Sequence, residues 1–147
     1  LIFWSDAFNA TYQYDPKSDS LTYHEMVSTL TANEKSGKYK NDVASDRELT
    51  EEMNKIKEEI TFSELFWDSE KEIFYRFSYF ELPKVADEPI KYKHFLSVID
   101  EDFNLVGEKE ITSMISTPLN TLFIKDSMIY SHLNVDDELA YIRMKIN

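Results

Sequence analysis

Glu72-Ile73-Phe74-Tyr75-Arg76-Phe77-Ser78-Tyr79-Phe80 carries the strongest fold signal in the chain. In an extended backbone Ile73, Tyr75, Phe77 and Tyr79 line one face, and Phe74, Arg76, Ser78 and Phe80 line the other. Both faces are largely apolar or aromatic, which is the pattern of a strand covered on both sides. The polar run Asp68-Ser69-Glu70-Lys71 just before it reads as a hairpin turn, with Ile60-Thr61-Phe62 and Leu65-Phe66-Trp67 as the preceding strand. Downstream, His94 to Ile99 is a strand, Asp100-Glu101-Asp102-Phe103-Asn104 a turn, and Leu105 to Ile111 the return strand, with Gly107 as a bulge or twist point.

The pattern then restarts. Leu122-Phe123-Ile124 is a short strand, Lys125-Asp126-Ser127 a tight turn and Met128 to Leu133 its partner. Asn134 to Glu138 is a polar loop, and Leu139 to Ile146 a last strand. At the other end, Leu1 to Ser5, Thr11 to Tyr14 and Leu21 to Val27 read as strands around a turn at Asp15 to Ser20. Three segments align as repeats: Leu1-Ile2-Phe3-Trp4-Ser5, Glu72-Ile73-Phe74-Tyr75-Arg76 and Ser127-Met128-Ile129-Tyr130-Ser131. The last two are about 55 residues apart, close to the roughly 40–50 residues of a propeller blade. An insertion separates the first two. In it, Ser45-Asp46-Arg47-Glu48 is a capping box, and Leu49, Met53, Ile56 and Ile60 follow at helical spacing, a stripe expected to pack on the rim of a sheet. The preceding stretch, Thr31 to Ala44, reads as an exposed loop.

The fold class expected is all-β: a partial β-propeller of about two and a half to three four-stranded antiparallel blades, with one short helical insertion. Residues 1–147 form the C-terminal part of one propeller domain, with blade portions at about 1–30, 60–111 and 118–147 and the loop-helix insertion at about 31–59. A sandwich also gives closely spaced strands, but the repeat order and the doubly covered strands favour blades. Roughly four to eight blades close a propeller, so this chain cannot close alone and is expected either to belong to a longer protein or to self-associate through open blade faces. The opening Leu1-Ile2-Phe3-Trp4 lacks an initiator Met and reads as mid-strand, so an upstream part is expected.

Composition narrows the function. A formal net charge of −12 repels a polyanion, and no basic stripe offsets it, so no nucleic-acid partner is expected. There is no cysteine, which excludes disulfides, thiolate catalysis and Cys-ligated metals. No apolar run reaches the roughly 20 residues of a membrane helix, and no targeting signal is present. His24, His94 and His132 show no metal-ligand spacing. The Asp100 to Asn104 run resembles a calcium loop only faintly and lacks its glycine and terminal Glu. With no glycine-rich loop and no nucleophile elbow, no catalytic residue, metal or cofactor is assigned.

Three residues are candidates for ligand binding. Arg76 stands in an otherwise apolar strand, so it needs a carboxylate or carbonyl partner: a salt bridge between blades, or an anionic ligand in a central channel. Trp67 and Trp4 offer stacking surfaces for sugars at a blade edge, or pack blade against blade.

The runs Glu59-Ile60-Thr61-Phe62, Phe66-Trp67-Asp68, Phe74-Tyr75-Arg76-Phe77-Ser78-Tyr79, Ser97-Val98-Ile99-Asp100 and Phe103-Asn104-Leu105-Val106-Gly107-Glu108 resemble the C-terminal half of a family of propeller-like proteins from gut Bacteroidetes, catalogued as a domain of unknown function. The resemblance runs from about Ser45 to the end. It implies a six-bladed propeller, a lipoprotein signal in the upstream part and a place in the bacterial cell envelope; the lipoprotein cysteine itself is not in this sequence. It implies no activity. The function expected is a non-enzymatic binding or scaffold module with a protein, small-molecule or glycan ligand. The alternative is a propeller hydrolase or lyase acting on carbohydrate or peptide, which needs two carboxylates facing each other across a pocket.

Overall fold

A computed structural model describes residues 1–115, 120–135 and 138–146. Parts of two expected features, the third blade portion at 118–119 and 147 and the acidic loop at Asp136 and Asp137, lie outside the described residues.

Among the described residues, ten strands form three separate antiparallel sheets, none closed on itself. The N-terminal sheet has β1 (Ile2–Trp4), β2 (Ala10–Asp15) and β3 (Ser20–Glu25) in sequence order. The central sheet has β4 (Thr61–Asp68), β5 (Ile73–Glu81), β6 (Tyr92–Asp100) and β7 (Leu105–Glu110), again in order. The C-terminal sheet has β8 (Asn120–Lys125), β9 (Met128–Val135) and β10 (Glu138–Lys145). Each strand lies where the apolar periodicity puts one, except that β9 and β10 extend through Asn134, Val135 and Glu138 of the expected polar loop, and Gly107 sits opposite Val98, where the β6–β7 register shifts. Only the central sheet has four strands; each flanking sheet has three among the described residues.

The same side-chain chemistry turns the chain at three hairpins. Asp15, Asp68 and Asp100 each end a strand, and a carboxylate oxygen of each accepts a backbone N–H two residues on, from Lys17, Glu70 and Asp102. These are Asx-turns, in which a short acidic side chain stands in for a backbone carbonyl. The Asp100 carboxylate also accepts Asn104 N at 2.8 Å and Asn104 Nδ2 at 3.0 Å, so it is spent within the hairpin expected there. The β8–β9 turn has positive φ at both Asp126 and Ser127, the backbone twist that joins two strands through two residues.

The central sheet buries both faces. Toward the C-terminal sheet, Tyr75, Phe77 and Leu96 pack with Ile129 and Met144. Toward the N-terminal sheet, Phe74, Leu65 and Ile99 pack with Met26 and Phe103. Phe103 stacks between the two layers, its ring 5.4 Å from Phe74 and 4.2 Å from His24. It holds this position at a φ of 64°, unusual for a bulky side chain, because burial of the ring offsets the backbone cost. The outward faces of the two flanking sheets are aromatic. Phe3, Tyr12 and Tyr23 align across the N-terminal sheet, and Phe123, Tyr130 and Tyr141 form a ring cluster on the C-terminal one.

Helix α1 (Asp46–Lys57) starts at Ser45, whose hydroxyl accepts Glu48 N at 3.2 Å, while the Glu48 carboxylate reaches back to Ala44 N at 2.7 Å. The cap is the expected one, but the stripe behaves differently. Leu49 and Met53 are exposed, and Glu52 is the buried residue of the helix. The helix leans on the loop before it rather than on a sheet rim. Loop amides without strand partners need acceptors, and Glu48, Glu52 and Glu59 supply them to Ala44, Lys40 and Ser36.

Candidate functional site

Arg76 is 1% exposed and projects from β5 toward the N-terminal sheet. The β4 strand bulges between Phe62 and Leu65, and this break in the ladder frees the Ser63 carbonyl. Arg76 Nε donates to that carbonyl at 3.0 Å, Nη1 to Asn9 Oδ1 at 3.0 Å, and Nη2 to the Ser5 and Phe8 carbonyls at 3.0 and 3.3 Å. The guanidinium also lies 5.0 Å over the Phe62 ring. Among the described residues no carboxylate pairs with it, so the expected salt bridge is replaced by carbonyl and amide acceptors. Three of those acceptors lie on the Ser5–Asn9 connection between β1 and β2, which is held further by a bridge between Phe8 and Glu34 and by the bond from Phe62 N to the Asp6 carbonyl. Burial lowers the guanidinium to about 10, so it stays charged at neutral pH.

Asn9 passes the network on. Its Nδ2 donates to Asn33 Oδ1 at 3.3 Å, and its backbone N donates to the Asn33 carbonyl at 2.7 Å. Asn33 Oδ1 also accepts Ser28 N at 2.7 Å. Ser28 Oγ donates to Glu108 Oε2 at 2.6 Å, and Thr29 N donates to Glu108 Oε1 at 2.9 Å. A continuous polar path thus runs from β5, through two loops, to β7. It ties the N-terminal sheet to the central one at both ends of their contact.

This network walls the back of the site. A cavity of about 640 Å³ opens there on the outward face of the N-terminal sheet, between Asn9, Asn33, Tyr12, Tyr23, Glu25 and Glu34. Its volume suits a small molecule. The rings of Tyr12 and Tyr23 are 5.2 Å apart and tilted by 52°. Desolvation first, and then the nearby Glu25 and Glu34 charges, raise the Tyr23 phenol above its ordinary value.

The three residues singled out from sequence do not converge here. Arg76 reaches the cavity only through Asn9. Trp67, 42% exposed on β4, packs its ring 4.5 Å from Phe74. Trp4, 44% exposed on β1, sits opposite Thr11. By strand register Trp4 and His24 share the face turned to the central sheet, and Trp67 shares the face of Phe74, so the two tryptophans belong to opposite walls of one inter-sheet junction. The cavity residues Tyr12 and Tyr23 were legible only as strand aromatics, and Asn9, Asn33, Glu25 and Glu34 only as loop or strand-end polar residues. What unites them is register across β2–β3 and a loop folding back, neither of which is a local signal.

The histidines lie on three different sheets. His24 is 3.2 Å from Gln13 Oε1, His132 faces Tyr141, and His94 is buried, which pushes it below its ordinary value. Among the described residues, no group of three or more His, Asp or Glu could hold a metal ion, and no helix is long and apolar enough to cross a membrane.

The family described as "Domain of unknown function (DUF4221)" matches residues 1–110. No curated protein matches the chain. Among solved structures, the crystal structure of a member of the DUF4221 family from Bacteroides vulgatus superposes on 99% of the chain with a TM-score of 0.61 at 14% identity. At that identity the likeness establishes the fold alone. The chain spans 42% of that protein's length.

Proposed function

The chain belongs to the DUF4221 family, and we propose that it is a segment of a β-propeller that acts at the bacterial cell envelope, as a lipoprotein, in a non-enzymatic binding or scaffold role. The observation that carries this reading is the stack itself. Three sheets pack face to face, and the outward face at each end exposes aromatic rings. Such faces are costly in water and accept a further sheet of the same kind. The scale agrees: ten strands in 42% of the relative's length extrapolate to about two dozen strands, or about six blades of four.

In this reading the partner is a protein, a glycan or a small molecule held where sheets meet. Trp4 and Trp67 present the aromatic surface, and Arg76 fixes the sheets that carry them. The 147-residue chain alone is expected to self-associate with rising concentration in sedimentation velocity, while the full-length protein stays monomeric. A stable, cooperatively folded monomer of the short chain would sink the stacking argument. Unchanged glycan or peptide binding in Trp4→Ala and Trp67→Ala would remove those residues from it.

One observation favours a second reading, a hydrolase or lyase acting on carbohydrate or peptide: Glu25 and Glu34 line the same cavity. Turnover of a glycan or peptide that disappears in both Glu25→Gln and Glu34→Gln would support it over the binding role.

A further inference from the structure

His94 is 1% exposed on β6, and its Nε2 has no hydrogen-bond partner among the described residues. It shares the face of Leu96, turned to the C-terminal sheet. The ring of Tyr79, opposite it on β5, lies 5.8 Å away, and that of Tyr92 lies 5.9 Å away. The segment after β7, Ile111 to Ile115, is fastened to the same residue. Ile111 N donates to the His94 carbonyl at 2.8 Å, and His94 N donates to Thr112 Oγ1 at 3.1 Å. A neutral imidazole tolerates this position, because it leaves at most a lone pair or one N–H unmet. An imidazolium would bury a charge without an acceptor, which is costly unless it is paired. The groups around it supply no pair. Tyr79 and Tyr92 are neutral phenols, and Glu81 is engaged by the Tyr92 hydroxyl at 3.3 Å. Asp6 acts on Tyr79 from the β1–β2 connection. Lys109, opposite Leu96, has the same sign as an imidazolium, and Glu110 shares the other face with Lys93, 3.8 Å away. The C-terminal sheet contributes apolar side chains such as Ile129 and Met144 to this layer, and Ile111 to Ile115 include no titratable side chain.

We propose that His94 is an acid-operated latch, whose protonation in mildly acid solution releases the Ile111–Ile115 strap from the end of β6. Thr112 and Ile115 of the strap also wall a cavity of about 510 Å³ beside Tyr92 and Ile90, so release opens that cavity onto the apolar layer. Burial alone pushes the imidazole below its ordinary value, in agreement with this assignment. The sign follows: the freed ring titrates at about 6.5, so the latch holds above that pH and loosens as pH falls towards the lower value of the closed form. The device is independent of the scaffold reading, since the ring and the strap are both contributed by the central sheet and the segment that follows it.

The test is native-state amide exchange of the full-length protein from about pH 7.5 to about pH 5, read as protection factors so that the intrinsic pH dependence of exchange cancels. NMR titration of the His94 ring accompanies it. Protection of the His94 and Ile111 amides should fall by about fivefold or more over this range, while the amides of β2 and β3 keep theirs. The His94 ring should titrate below the ordinary histidine range. His94→Phe, which keeps a ring of similar size and removes the proton site, should abolish the pH dependence of strap protection. An ordinary midpoint for the His94 ring, or strap protection that does not change with pH, would overturn the assignment. So would an equal loss in every strand, which is global unfolding, or an unchanged acid response in His94→Phe. The ring titration and the exchange profile are read on the unaltered protein and depend on no variant folding.

Discussion

Arg76 shows how one side chain can organise a junction between sheets. Its donors meet three backbone carbonyls and one side-chain amide that have no ladder partners. Each would be a costly buried orphan without it. Arg76→Met, close in volume, is therefore expected to lower stability by about 3 kcal/mol, read as a shift in the urea midpoint with little change in slope. Arg76→Lys should recover only a minor part, because one ammonium cannot reach acceptors arranged around a planar fork. Glu108 closes the other end of the network. Burial alone would raise its carboxyl, but the hydrogen bonds from Ser28 and Thr29 outweigh it and hold the group below the ordinary carboxylate range. Its folded value thus lies below its unfolded value of about 4.3, so its contribution is fully present above that pH and is lost as pH falls through the lower folded value. Glu108→Gln should flatten this part of the acid limb when urea midpoints are compared from about pH 6 down to about pH 3. Acid sensitivity from other depressed carboxyls, such as Glu48 and Asp100, should persist.

At the scale of elements, each hairpin and the helix cap are specified locally, and the packing of the helix is not. The strand periodicity and the Asp-led turns leave little freedom of register, since a slip of one residue would expose a whole apolar face. Helix α1 has a correct cap and a correct stripe, yet Leu49 and Met53 stay in solvent while the adjoining loop claims its acidic face. Its stability is therefore largely its own. Ser45→Ala should cost about 1 kcal/mol locally, or about fivefold faster amide exchange within α1. The strands of the central sheet should keep their protection. Uniform acceleration across the chain would instead mean that α1 unfolds only with the whole molecule.

At the scale of the molecule, the interior is two separate apolar layers on the two faces of one sheet. The layer beneath the C-terminal sheet is built of aliphatic and aromatic side chains. The layer beneath the N-terminal sheet shares its space with the polar network around Arg76, which gives that junction a fixed orientation as well as adhesion. The cavity sits on the outward side of this rigid junction, where another sheet would meet it in a propeller. The sedimentation comparison belongs to this scale, because it asks whether the aromatic end faces find partners within one protein or between copies.

The sequence by itself determined the strand positions, the turns, the cap of the helix and the fact that the 73–80 strand is covered on both sides. All of these follow from alternation, Asx chemistry and capping within a few residues of chain. It also marked Arg76 as a buried charge in need of partners. Only the tertiary structure decided what those partners are, since Ser5, Phe8 and Asn9 lie 67 or more positions away in the chain. Only it showed that Leu49 and Met53 of the helix stripe are left exposed and that Tyr12, Tyr23, Glu25 and Glu34 share a cavity. Such groupings depend on sheet register and on a loop returning across a face, and long-range closure of that kind leaves no periodic trace in the residues it brings together.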